Sequence, residues 1–167
     1  SEVIPGAAGR RLLAAAGALA LCACTSRVAY SPPPPAPVES PLLLAVPFDR
    51  AWNAVIQTFF EGNIPVRTVE KASGILESDE LRGEVGRECD CGTYLGIGIG
   101  GYGGAYGGDA YYRFRILVET RGADQTAVSL RSGCRARVDA VEGELVCRLA
   151  PAKEVELRQK ISERAGR

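Results

Sequence analysis

Histidine is absent from this chain, and with it the commonest general base, the usual partner of a nucleophilic serine or cysteine, and the commonest zinc ligand. Most familiar hydrolase constellations are excluded on that count. Methionine is absent too, so the sequence as given carries no initiator residue. Net charge is the third thing missing: 20 basic and 20 acidic side chains cancel, so no global field draws the chain onto nucleic acid or an anionic membrane. Any such partner has to be met by a local patch. A long apolar span is lacking as well, because the run Leu12 to Leu21 is ten residues long, about half of the roughly 20 needed to cross a bilayer. What remains is 167 residues, the size of one domain.

Arg10 and Arg11 precede that apolar run and Cys22 to Ser26 follow it. A charged start, a short apolar middle and small residues after it form the pattern of a secretory signal peptide rather than a fold element. The stretch Leu21-Cys22-Ala23-Cys24 resembles the bacterial lipobox, in which a small residue precedes the cysteine that is acylated before cleavage. On that resemblance residues 1–23 are removed and Cys24 becomes the lipid-bearing first residue; Cys22 is the rival acceptor, disfavoured by the bulky Leu21 ahead of it. Palmitate-like chains contribute about 0.8 kcal/mol per buried CH₂, so two of them anchor stably. The residues after Cys24 are Thr25 and Ser26, without an aspartate. Resemblance to bacterial lipoproteins then implies an outer-membrane address, with the domain facing the periplasm. Twin-arginine export is the alternative reading of Arg10-Arg11, although two arginines are ordinary for any signal.

Residues 24–41 contain Ser31-Pro32-Pro33-Pro34-Pro35-Ala36-Pro37, a polyproline stretch expected to act as a spacer. At about 3.1 Å per residue such a tether reaches roughly 50 Å from the lipid surface. From Leu42 the composition turns to that of a folded domain, residues 42–167. Phe48, Trp52, Val55, Ile56 and Phe59 recur at spacings of three and four, predicting a helix over 49–61 with an aromatic core face. Asp49 is expected at its cap or first turn, and Gly62-Asn63 at its end. Strands are predicted over 64–70 and 75–81, joined through Ala72-Ser73-Gly74, then over 111–121, 125–138 and 144–149, with Gly133 as a bulge. Pro151 opens a last helix carrying Val155, Leu157 and Ile161. The expected architecture is α+β: a mainly antiparallel sheet of about five strands covered on one face by two helices.

Val46-Pro47-Phe48-Asp49-Arg50-Ala51-Trp52, continuing through Asn63-Ile64-Pro65-Val66 to Ser73-Gly74-Ile75-Leu76, resembles the opening of helix-grip lipoproteins of the BamC type. In that group a helix is followed by a strand, a Ser-Gly turn and a second strand. The end of the chain, Cys147-Arg148-Leu149 with Glu154 and a terminal helix, is similar to small outer-membrane lipoproteins of unassigned role that pair it with an upstream Cys-Gly, here Cys91-Gly92. Together these cover about half of the domain. The resemblance implies a helix-grip-like fold. BamC carries two such domains and an extended arm, whereas this sequence accommodates one.

Cys89, Cys91, Cys134 and Cys147 remain once Cys22 and Cys24 are set aside. An exported domain keeps disulfides, so two bridges are expected, in any of three connectivities. Periodicity permits Cys134 with Cys147. The resemblance implies Cys91 with Cys147 instead, leaving Cys89 for Cys134. The single residue between Cys89 and Cys91 departs from the spacing of zinc knuckles and of redox Cys-x-x-Cys pairs.

Residues 92–108 hold nine glycines, including a formal Gly-x-Gly-x-x-Gly at Gly98–Gly103. Dinucleotide binding needs those glycines between a strand and a helix, and here a strand follows. A long loop is expected, with Tyr94, Tyr102 and Tyr106 as a possible contact surface for lipid headgroups or glycan. On the outward strand face Arg113, Arg115, Arg135, Arg137 and Arg148 fall at alternate positions. Guanidinium groups suit the phosphates and carboxylates of lipopolysaccharide or peptidoglycan, unless Glu119, Glu142 and Glu144 pair with them. Asp79, Glu80, Glu84, Glu88, Asp90 and Asp109 supply carboxylates around the loops for an envelope-glycan hydrolase, but no spacing fixes a catalytic pair. The expectation is therefore a lipid-anchored envelope protein with a binding or scaffold role rather than an enzyme. Its partner would be an envelope protein, peptidoglycan or lipopolysaccharide, not nucleic acid, and no residue set calls for a metal or cofactor.

Overall fold

The computed structural model describes residues 30–37, 39–94, 97–99, 107–139 and 141–167. Residues 1–23, expected to form a signal peptide, both candidate lipidation sites Cys22 and Cys24, and the tyrosines Tyr102 and Tyr106 lie outside the described residues. In chain order the elements are β1 (Tyr30–Ser31), β2 (Leu42–Leu44), α1 (Phe48–Glu61), β3 (Val66–Glu70), β4 (Ile75–Ser78), β5 (Leu81–Glu84) and β6 (Cys89–Asp90). They continue with β7 (Thr93–Tyr94), β8 (Ile97–Gly98), β9 (Gly108–Gly122), β10 (Gln125–Val138), β11 (Leu145–Leu149) and α2 (Pro151–Ala165).

The frame is the β9–β10 hairpin, whose strands are 15 and 14 residues long and pair antiparallel along their whole length. Alternation dictates its two faces. Ala110, Phe114, Ile116 and Val118 of β9 and Val128, Cys134, Ala136 and Val138 of β10 point inward and are buried; the residues between them carry the charge. Each long strand has a second edge shared by two shorter partners. On β9, β4 pairs Ile75–Glu77 with Leu117–Arg115, and β5 pairs Leu81–Glu84 with Tyr112–Asp109. At the gap between them the Ser78 hydroxyl accepts the Phe114 N–H at 2.9 Å, a side chain completing the ladder. On β10, β2 pairs with Thr126–Val128 and β11 with Cys134–Ala136.

α1 begins after Pro47 with no side-chain cap; Asp49 sits in its first turn and meets Lys71 at 2.8 Å. It ends in a Schellman arrangement, with Asn63 left-handed (φ 48°), the Asn63 N–H donating to the Phe60 carbonyl and the Ile64 N–H to that of Phe59. Its aromatic stripe is core. Trp52, Val55 and Phe59 are buried, and Phe59 meets Phe114 edge-on with ring centroids 6.5 Å apart. α2 packs alongside α1 and buries Leu157, Ile161 and Ala165, whereas Val155, expected on that stripe, is exposed. The β3–β4 turn needs Gly74 in particular: its φ is 67°, its carbonyl accepts the Val118 N–H, and a Cβ there would overlap the Val118 carbonyl.

The fold is thus α+β, with two helices and a mainly antiparallel sheet. That sheet has eight strands rather than about five, in the order β3-β4-β9-β10-β11-β6 with β2 on β10 and β5 on β9. A second sheet joins β1, β7 and β8. The extra members are two to four residues long, too short to show a period. Gly133 is not a bulge: it sits in unbroken register opposite Arg113, and the irregularity falls at Gln125/Thr126 beside the hairpin turn. The glycine-rich stretch is not loop throughout, because β7 and β8 pair within it, Ile99 is buried, and Gly108 already belongs to β9.

Candidate functional site

The cysteines organise one end of the domain. Cys134 and Cys147 face each other in register on β10 and β11, yet they do not bond to each other. β6 lies along the far edge of β11, pairing Cys89 with Leu149 and Asp90 with Arg148. From there Cys91 bridges to Cys147 and Cys89 to Cys134. All four sulfurs are buried, and none is a thiolate. Asp90 between them accepts the Gly92 N–H at 3.0 Å and meets Arg148 at 3.5 Å. The Tyr30 hydroxyl donates to the Cys91 carbonyl at 3.0 Å; burial, with Asp90 nearby, pushes that phenol above its ordinary value of 10.0.

The outward face of the sheet carries Arg113, Arg115, Arg135 and Arg137 as alternation predicted, with Arg148 on β11. Their surroundings make it a mosaic of both signs. Arg115 donates through Nε and Nη2 to one Glu77 oxygen, at 3.2 and 2.8 Å. Arg135 is held by two carboxylates: Nε and Nη2 reach Glu80 at 2.9 and 2.7 Å, and Nη1 reaches Glu144 at 2.5 Å. The hydrogen bonds from Arg115 and Arg135 hold Glu77 and Glu80 below the usual carboxylate value of 4.5, against a smaller upward push from burial. Of the acids expected here Glu144 does face an arginine, while Glu119 pairs with Arg121. Among the described residues no ion pair joins Glu142, Arg113 or Arg137. Glu77 and Glu80 were not anticipated as partners, because nothing in the sequence states the register that brings β4 and the turn after it beside β9 and β10.

Between the charges runs one cross-strand row, Tyr111 on β9, Arg135 on β10 and Val146 on β11. The Arg135 guanidinium lies 5.6 Å from the Tyr111 ring centroid. Val146 is 81% exposed and Tyr111 36%. An aromatic ring, a planar cation and an aliphatic side chain are thus offered together on a rigid sheet.

A cavity of about 160 Å³ lies between the helices and the sheet, walled by Thr58, Ile64, Tyr112, Phe114 and Leu157, with Lys153 and Lys160 at its rim. Burial raises the Tyr112 phenol above 10.0, and Glu88 and Glu156 add to the shift. The loop carboxylates are engaged in structural contacts: Glu88 accepts the Glu84 N–H at 2.8 Å, Asp109 pairs with Arg82 at 2.7 Å, and Asp79 accepts the Glu80 N–H at 2.8 Å. Tyr94 pairs with Tyr30 across β7 and β1. Among the described residues no helix is long and apolar enough to cross a membrane. Compared with known proteins, the chain matches no family model and no curated protein.

Proposed function

We propose that this chain is a bacterial envelope lipoprotein, acylated on Cys24 and delivered to the outer membrane, whose helix-grip-like domain binds or braces an envelope protein through the uncovered face of its sheet. The observation that carries the binding role is the row Tyr111–Arg135–Val146 on the face opposite α1 and α2, in which Tyr111 and Val146 are exposed and Arg135 is half-buried between them. Such a row has the composition of an interface centre, where aromatic and arginine side chains are enriched. Charge favours a protein over lipopolysaccharide as the partner. Three of the five outward arginines, Arg115, Arg135 and Arg148, are already balanced by Glu77, Glu80, Glu144 and Asp90, and only Arg113 and Arg137 lack an ion pair among the described residues, so the face offers both signs, as another protein surface does, rather than the unbroken run of free cations that a polyanion selects.

Two measurements test this. Palmitate labelling in cells should be lost in Cys24→Ser and kept in Cys22→Ser; labelling of neither wild type nor variant removes the anchor. A photo-crosslinking residue in place of Val146 should capture one discrete outer-membrane protein, and the same residue in place of Phe60, exposed on α1, should not. Turnover of peptidoglycan fragments by the purified protein would replace the scaffold with a hydrolase.

A further inference from the structure

The polyproline stretch is where the structure departs most from a simple spacer. Read as a free tether, residues 25–41 hold the domain up to roughly 50 Å from the lipid. In the fold the described part of this segment, which begins at Tyr30, is docked at both ends. At its start β1 pairs with β7, setting Tyr30 against Tyr94 and Ser31 against Thr93, and the Tyr30 hydroxyl donates to the Cys91 carbonyl. Gly92 is shaped for this contact. Its φ is 87°, and a Cβ there would overlap the Ser31 carbonyl oxygen and stand 2.9 Å from Pro32 and Pro33 atoms. The Ile99 N–H donates to the Gly92 carbonyl and the Cys91–Cys147 bridge ties the same loop to β11, so the seat is braced from two sides.

At its other end the segment is fixed to α2 and the sheet. Arg158 pairs with Glu39 at 3.1 Å and donates to the Ser40 carbonyl at 2.7 Å, after which β2 pairs with Thr126–Val128 beside the hairpin turn. The two docking points lie far apart on the domain. From Val128 to Cys134, the strand position nearest the stapled loop, β10 advances six residues, or about 20 Å. The prolines therefore run along the domain from its stapled end toward its hairpin end, and add nothing to its distance from the membrane.

We propose that residues 30–41 are a strap, and that it holds the domain with its disulfide-stapled end, at Asp90–Thr93, toward the lipid surface. This rests on the reading of Cys24 as the anchor. Tyr30 is six positions after Cys24, and a chain spans at most about 3.5 Å per residue, so the docked end lies within about 20 Å of the acylated cysteine. The opposite end, with the turn at Ala123-Asp124, then points away from the membrane, and the Tyr111–Arg135–Val146 row stands along the side of the domain.

The strap and its orientation are tested separately. Chymotrypsin cutting of the full-length protein after Tyr30 needs no lipid. Cleavage should be slow in the wild type and about tenfold faster in Gly92→Ala, as expected when a protected segment opens locally. Tyr30→Phe, which keeps the cleavage site and the loop but loses the bond to Cys91, should fall between them, and it carries the test if Gly92→Ala does not fold. Wild-type cleavage as fast as in Gly92→Ala or Tyr30→Phe overturns the strap. For the orientation, the acylated protein is placed in phospholipid vesicles bearing a headgroup energy acceptor, with a fluorescent amino acid at Thr93 or at Asp124. Transfer should be more efficient from position 93. Equal or reversed efficiencies overturn the orientation, and vesicles that retain no protein remove the anchor while leaving the proteolysis result to decide the strap.

Discussion

Near the hairpin turn the chain is held by long strand pairing and by α1, which lays Trp52, Val55 and Phe59 into the same apolar layer as Phe114, Ile116, Val118 and Val128. At the other end the strands β1, β6, β7 and β8 are two residues each, and two disulfides close over them. Two-residue strands bury little and register weakly, so their pairing does not by itself offset the backbone entropy of ordering them. The bridges span 45 and 56 residues of sequence, and each contributes about 2 to 4 kcal/mol by restricting the unfolded chain. One end of the domain is thus stabilised by packing in the native state, the other largely by constraint on the unfolded one.

The largest break of this contrast comes from the packed end. Phe59→Ala removes a fully buried ring and should cost about 3 to 5 kcal/mol, lowering the denaturant midpoint of the whole domain with both disulfides intact. Replacing Cys91 and Cys147 together by alanine should cost about 2 to 4 kcal/mol. In that variant hydrogen exchange should rise first in β6 and β7 while the middle of β9 and β10 stays protected; a uniform rise would show that the two ends are one cooperative unit. Ser78→Ala leaves the buried Phe114 N–H without its acceptor at the handover from β4 to β5, and should cost about 1 to 3 kcal/mol.

The smallest effect separates the two regions by pH. Glu77 and Glu80 are held below 4.5 by Arg115 and Arg135, so their contribution is present above that pH and is lost as pH falls through their folded values. The Glu77–Arg115 pair is worth about 0.2 to 1 kcal/mol, seen as a drop in thermal midpoint that Glu77→Gln should blunt. Tyr30 at the stapled end has the opposite sign. Its raised phenol leaves stability intact below pH 10.0 and removes it as pH climbs through the folded value, so the thermal midpoint should fall on titration above that pH in the wild type and less so in Tyr30→Phe.

Alternation read along one strand was enough to place Phe114, Ile116, Val118, Arg113 and Arg115 on their faces, and the three-and-four spacing was enough for α1, because both signals are carried by neighbours in the chain. Val155 shows the limit: α2 has a weaker stripe, and Leu157, Ile161 and Ala165, four apart, take the buried side instead. Gly133 shows another, since a glycine in a strand signals a bulge only when no room is wanted there. Here the register opposite Arg113 is unbroken and a Cβ would meet nothing, so nothing in the structure explains the glycine. The short strands left no trace at all.

The amino-acid order alone settled the two helices, the long strands and which of their sides face inward, since helix and strand periods repeat within a few residues. It also set the number of cysteines available for bridging, but not their partners. Cys134 and Cys147 are neighbours in register and yet bond elsewhere, Arg135 finds Glu80 across 55 positions, and the prolines lie down on Gly92. Those outcomes belong to the tertiary structure, because each depends on strand order and register, which are fixed by the burial of the whole core and not by any stretch of chain.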